Sequence, residues 1–190
     1  MSSRAFYDQL PASLDPISPD LVPTVVAGVL YDKSVLYVRS CGAQPEDFDV
    51  LMSAKHTNGV TSYVAQQQKT YANGQTEQVF HVVDAFNDED YIGYGEIRFA
   101  VTDISDYFKD KPFIGMIWTE SEYRGQRLGN LFQRLLLMKS VTETQLGLPL
   151  YSDTLISRSA LRVAHRLVRA GLAEEVYESG LLRFRSTMDS

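Results

Sequence analysis

The segment Trp118-Thr119-Glu120-Ser121-Glu122-Tyr123-Arg124-Gly125-Gln126-Arg127-Leu128-Gly129-Asn130 concentrates the residue types that can hold a polyanion. It lies between a short apolar run, Phe113 to Trp118, and a segment of helical spacing, Leu128 to Val141. A strand, a tight basic turn with glycines and a helix start together form a grip for phosphate. Successive backbone N–H groups converge on one point, and the helix N-terminus adds positive partial charge. Gly125 and Gly129 let the backbone approach an anion with no side chain between. Neither G-x-G-x-x-G nor G-x-x-x-x-G-K with a following Ser or Thr occurs, which excludes the dinucleotide, kinase and P-loop devices.

The elements that must position this turn are legible around it. Val79 to Phe86 and Tyr91 to Val101 read as strands joined by Asn87-Asp88-Glu89-Asp90, and Phe113 to Thr119 is the strand that enters the turn. Gly93 and Gly95 suggest a bulge or close packing within the second strand. Leu128, Leu131, Phe132, Leu135, Leu136, Met138 and Val141 share a helical face. Leu150 to Leu155 reads as a further core strand. Ser157 to Ala170 reads as a helix with Ser157 or Ser159 as N-cap and Gly171 as terminator. Glu175 to Tyr177 and Leu181 to Arg185 form a hairpin across Ser179-Gly180. Thr102 to Lys111 is a polar connection.

Upstream, four prolines within residues 1–23 mark an extended arm, leaving 24–190 as one domain. Val25 to Leu30 and Val35 to Val38 read as two strands around a turn at 31–34, and Pro45 to Lys55 as a short helix. Val60 to Gln67 is strand-like, followed by a turn at Ala72-Asn73-Gly74.

The segment from Glu122 through Gly129 resembles motif A of the GNAT superfamily of N-acetyltransferases, whose pattern is Gln or Arg, two residues, Gly, one residue, then Gly or Ala. Arg124, Gly125, Gln126, Leu128 and Gly129 fall on the longer form of that pattern, with Glu122 and Tyr123 before them. Arg127 departs from it, standing where the family usually has a glycine. The order hairpin, strand, loop, helix, strand, helix, hairpin matches the family over residues 77–186. The resemblance implies an α/β (α+β) fold: a mixed, mostly antiparallel twisted sheet flanked by helices, with a splayed parallel strand pair on either side of the main helix.

It also implies a cofactor, acetyl-CoA. Its pantetheine arm would run along the main chain at Ile117, Trp118 and Thr119, and its pyrophosphate would sit over Arg124, Gly125, Gln126, Arg127, Leu128, Gly129 and Asn130. Ser157 or Ser159 stands where relatives offer an Asn to the cofactor; simple helix capping is the other reading of these serines. Trp118 packs either on substrate or in the core.

The implied reaction is direct attack of a primary amine on the thioester. It needs alignment, donors for the carbonyl oxygen, a base and an acid. Leu167 occupies the position of the family's usual tyrosine acid, which leaves Tyr177 and Tyr151 as phenols nearby in sequence. For the base, Glu120 comes first, Asp153 second and Glu96 third. The alternative function is a non-catalytic module of the same fold that binds acyl-CoA or a protein.

Charge and composition bound these readings. Up to residue 122 the chain has 8 Lys+Arg against 18 Asp+Glu, and from 123 onward 10 against 6. The phosphate turn thus lies in the basic part, and the acidic part suits a cationic amine, small molecule or protein. No basic cluster with interleaved aromatics supports direct nucleic-acid binding. A single cysteine, Cys41, and the lack of a secretory or membrane-spanning pattern point to a cytoplasmic protein without structural disulfides. The three histidines, His56, His81 and His165, have no metal-ligand spacing. Exposed sheet edges allow a homodimer.

Overall fold

The computed structural model describes residues 14–41, 44–45, 47–100, 110–126, 128–129, 131–153, 157–178 and 180–188. The described chain opens with β1 (Asp15–Pro16), a 3-10 turn over Pro19–Leu21 and α1 (Thr24–Cys41). Strands β2 (Gln44–Pro45), β3 (Asp49–Lys55), β4 (Val60–Thr70), β5 (Thr76–Phe86), β6 (Asp90–Ala100) and β7 (Phe113–Thr119) follow. A second 3-10 turn, Ser121–Tyr123, leads to α2 (Leu131–Leu146) and α3 (Arg158–Arg169), and β8 (Ala173–Glu178) and β9 (Leu181–Ser186) complete the order.

The architecture is mixed α+β. One antiparallel path runs β1-β3-β4-β5-β6-β7, with β2 added to β4, and β8-β9 form a separate hairpin. Alternation along β4 to β6 divides the apolar side chains between two faces. On one face Val64, Phe80, Val82 and Ile97 pack with Leu137, Met138 and Val141 of α2. On the other, Tyr63, Val83, Ala85 and Tyr94 pack with Val26 and Leu30 of α1.

Two upstream expectations are corrected. The stretch Val25 to Val38 is part of one helix, α1, and not two strands around a turn. Each of its valines favours strand by at most about 1 kcal/mol, a preference that depends on context. Burying Val26 and Leu30 on one helical stripe is worth roughly 1.5–3 kcal/mol each, so packing decides. Pro45 to Lys55 is not a helix: Gln44–Pro45 and Asp49–Lys55 are strands paired to β4, with a register shift between Val50 and Met52. Of the strand expected at Leu150 to Leu155 the described residues form only isolated bridges at Tyr151, and the other elements agree to within a few residues, although α2 begins at Leu131, after Leu128. Of the extended arm, Asp15 and Pro16 pair with β3, and residues 1–13 lie outside the described residues. So do 102–109 of the polar connection, Val101 before it, and 154–155 of the expected strand at 150–155.

The parallel contact beside β7 is a single bridge, Phe113 to Tyr151. It is made by Tyr151 N–H to Pro112 O, 2.9 Å, and Ile114 N–H to Tyr151 O, 3.0 Å. Tyr151 also bridges antiparallel to Arg185 of β9, so the segment links the sheet to the terminal hairpin.

Candidate active site

β7 carries the geometry on which the site depends. Its register on β6 steps from Glu96↔Met116 to Ile97↔Ile114, which leaves Gly115 as an extra residue. A bulge of this kind reverses the alternation of the backbone downstream. The hydrogen bonds record the reversal: Ile114 N–H points outward to Tyr151, whereas Glu120 N–H points inward to Ile92 O at 2.9 Å. Beyond the bulge the outward main-chain groups therefore belong to Ile117 and Thr119. The outward Thr119 carbonyl accepts from Arg124 Nε at 2.8 Å.

Past the Phe113–Tyr151 bridge a cavity of about 230 Å³ opens. Gly115, Met116 and Ile117 form one wall and Tyr151, Ser152 and Asp153 another, with Leu135 of α2 and Ala160, Ala164 and Leu167 of α3 between them. Its surface is mainly apolar, with Lys139 and Asp153 as the charged residues in its lining.

The turn after β7 is exposed at Ser121, Glu122, Arg124, Gly125 and Gln126. Tyr123 N–H bonds Glu120 O and Gln126 N–H bonds Tyr123 O, so part of the turn is closed on itself. Gly129 serves that closure. A β-carbon there would come 2.1 Å from Tyr123 O and 2.7 Å from Thr119 Cγ2. Gly125 has φ +74, a left-handed conformation natural to glycine, with open space where a side chain would go. Arg127 and Asn130 lie outside the described residues.

Beneath the tip of β7 lies a buried ion pair that sequence reasoning missed. Arg134 of α2 donates Nε–H to Asp84 Oδ2 at 2.8 Å, with Nη2 2.7 Å from the same oxygen but poorly aimed. Its Nη1 donates to Trp118 O at 2.5 Å and to Thr119 Oγ1 at 3.2 Å. Ser62 Oγ–H reaches Asp84 Oδ1 at 2.6 Å, and His56 Nε2 lies 2.7 Å from Ser62 Oγ. Gly93 makes room for the guanidinium, since a β-carbon there would lie 2.3 Å from Arg134 Nη2. The network clamps the end of β7 where the turn begins.

On the face covered by α1, the alternate residues Tyr94, Glu96 and Arg98 of β6 form a second polar group. Tyr94 O–H donates to Glu96 Oε2 at 3.0 Å and lies 2.5 Å from His81 Nδ1. Arg98 forms a two-point pair with Glu77, Nε to Oε1 at 2.7 Å and Nη2 to Oε2 at 2.9 Å, and lies 3.8 Å from Glu96. Burial pushes the Glu96 carboxyl up to about 7, against the opposing pull of Arg98 and Lys33. Burial likewise pushes the Tyr94 phenol up and holds His81 well below its ordinary value, the latter with help from Lys69 and Lys33. Glu96 abuts the cavity strand: a β-carbon on Gly115 would lie 2.9 Å from its Oε1.

The carboxylates and hydroxyls expected from sequence are thus dispersed. Asp153 lines the cavity; Glu120 instead accepts from Trp118 Nε1–H at 3.2 Å and precedes the 3-10 turn, outside the lining. Tyr177 of β8 is 74% exposed and outside the lining, which removes it as a phenol facing the cavity. Tyr151 is buried in the lining. Ser157 also lines the cavity, and its Oγ accepts from Ala160 N–H at 3.2 Å as a helix cap, while Ser159 is exposed and outside the lining. Trp118 packs on Tyr94, with ring centroids 4.8 Å apart. Among the described residues no group of three His, Cys, Asp or Glu is placed to hold a metal ion, and no helix is long and apolar enough to cross a membrane. No family model matches the chain, and no significant match was found among curated proteins or solved structures.

Proposed function

We propose that the protein is an acyltransferase that moves the acetyl group of acetyl-CoA directly to a primary amine. The observation that carries this reading is the apolar opening between β7 and Tyr151–Asp153. The two segments are bonded at its base and separated above it, on the edge where the bulge turns Ile117 and Thr119 outward. That opening suits a pantetheine arm hydrogen-bonded as an added strand, with the finer splayed-pair topology belonging to this proposal. The Tyr123, Arg124 and Gln126 N–H groups are bonded within the turn, so in this reading a diphosphate at the mouth meets the exposed Gly125 and the start of α2.

In this reading the donor supplies an activated thioester carbonyl, and the chain supplies placement and proton transfer. The Thr119 N–H stabilises the carbonyl oxygen as charge develops on it. Glu96, like Glu120, lies outside the cavity lining, but it takes the base role ahead of Glu120 and Asp153 because burial pushes its carboxyl up to about 7 and it lies against Gly115, a residue of that lining. Leu167 in the lining offers no proton, so the thiolate leaves unaided or takes its proton from water.

Calorimetric titration with acetyl-CoA, followed by thiol release across a panel of amines, tests the proposal. Binding with turnover is expected. Binding without turnover on any amine would favour a non-catalytic acyl-CoA-binding module, and lack of binding would defeat both.

A further inference from the structure

The buried stripe of α1 runs Val26, Leu30 and then, one turn on, Lys33, where helical spacing asks for another apolar residue. The half-buried side chain lays its ammonium over two aromatic rings. Nζ lies 3.7 Å from the Trp118 ring centroid and 4.8 Å from that of Tyr94, with Glu96 and Glu120 as the nearest acidic influences besides its neighbour Asp32. Two aromatic faces and flanking carboxylates are the surroundings that hold an alkylammonium. Both rings lie on the α1 face and outside the cavity lining, but close to it in the chain: Trp118 follows the cavity residues Gly115, Met116 and Ile117 on β7, and Tyr94 bonds the proposed base, Glu96.

From this placement we infer that Lys33 is a self-acylation site, the chain's own amine held over Trp118 at the end of the strand that the thioester would follow. The inference rests on the acyltransferase reading and adds an intramolecular acceptor to it. In the step, Lys33 Nζ passes one proton to the Glu96 carboxylate, and its lone pair forms a bond to the acyl carbon of acyl-CoA. The carbon–sulfur bond breaks, and the second proton lost by the nitrogen ends on the departing thiolate. The products are an amide at Lys33 and free thiol, with no oxidant or reductant involved. Burial holds the Lys33 ammonium below its ordinary value, which favours the neutral nucleophile. Acylation replaces the cation by a neutral amide, removing the charge now held between Trp118 and Tyr94.

The test incubates the purified full-length chain with acetyl-CoA and follows each lysine peptide by mass spectrometry. Lys33 is expected to react on the order of a hundredfold faster than exposed Lys55, at a rate independent of protein concentration. Glu96→Gln should slow it by about a hundredfold. Without any acyl donor, Lys33→Gln should shift the emission of Trp118, the chain's single tryptophan, because the cation over the ring is gone. If acetyl-CoA binds by calorimetry but Lys33 reacts no faster than Lys55, or at a rate that scales with protein concentration, the inference is overturned while the acyltransferase reading stands. An unchanged Trp118 emission in Lys33→Gln also overturns it, and lack of acetyl-CoA binding overturns both.

Discussion

Replacing Glu96 by Gln should make the protein more stable at alkaline pH, and by an amount set by its burial. Glu96 is 1% exposed, and its carboxyl is raised from 4.5 to about 7. A raised carboxyl binds its proton more tightly in the folded chain than in the unfolded one. Its favourable contribution is therefore complete below about pH 4.5, declines as pH rises and is gone above about pH 7. At roughly 1.4 kcal/mol per pH unit, the full change is about 3 kcal/mol. Gln keeps the shape of the protonated acid and has no charge to desolvate, so Glu96→Gln and wild type should differ by less than ~1 kcal/mol at pH 5. At pH 8 the variant should be more stable by up to about 3 kcal/mol, or roughly 6–12 °C in Tm for a chain of this size. Urea melts of both proteins at the two pH values measure this directly. A variant equally stable at both pH values, or less stable at pH 8, would refute the claim that Glu96 is a carboxylate strained by burial. With it would go the reason for choosing Glu96 as the base.

Other substitutions separate the parts of the site. Gly129→Ala forces a β-carbon against Tyr123 O and should cost ~1–3 kcal/mol and weaken acetyl-CoA binding, as read by melting and calorimetry. Gly125→Ala meets open space and should cost only the left-handed backbone strain, about 1 kcal/mol, with affinity nearly kept. Arg134→Met leaves Asp84 charged and buried without its partner, so a loss of roughly 3–5 kcal/mol is expected in denaturant unfolding. Ala160→Phe projects a ring into the cavity and should abolish acetyl-CoA binding while leaving the Tm within about 4 °C of wild type, about 1 kcal/mol for a chain of this size.

Where local pattern and tertiary packing agree, the elements were legible. The turn at Asn87 and Asp88, both with positive φ, joins two strands that pair from Phe86↔Asp90 onward, with one register shift at Asp84/Ala85 that leaves Ile92 as an extra residue. Ser157 and Gly171 bound α3 as a cap and a left-handed terminator. Val25, Val26, Val29, Val35 and Val38 misled because β-branching speaks for strand, while the spacing of Val26 and Leu30 gains its meaning only against β5 and β6. Asp49–Lys55 misled for the same reason, since its strand state comes from pairing with β4.

The site divides along the same line. Ile117 follows from its place before the turn, whereas Trp118 and Thr119, expected beside it, lie outside the cavity lining; Glu96 is visible as a carboxylate in an otherwise apolar strand. Ranking Glu96 above Glu120 required its desolvation, which depends on α1 lying across that face. Lys33 and the Arg134–Asp84 pair depend on contacts between elements distant in sequence, with nothing local to mark them.

The most direct test of the central claim is a structure of the protein with CoA bound. The account predicts the pantetheine arm between β7 and Tyr151–Asp153, bonded to the main chain of Ile117 and Thr119, with the diphosphate over the turn that ends at Gly129. CoA bound at another surface, or a closed gap between β7 and Tyr151–Asp153 in the presence of saturating CoA, would contradict it.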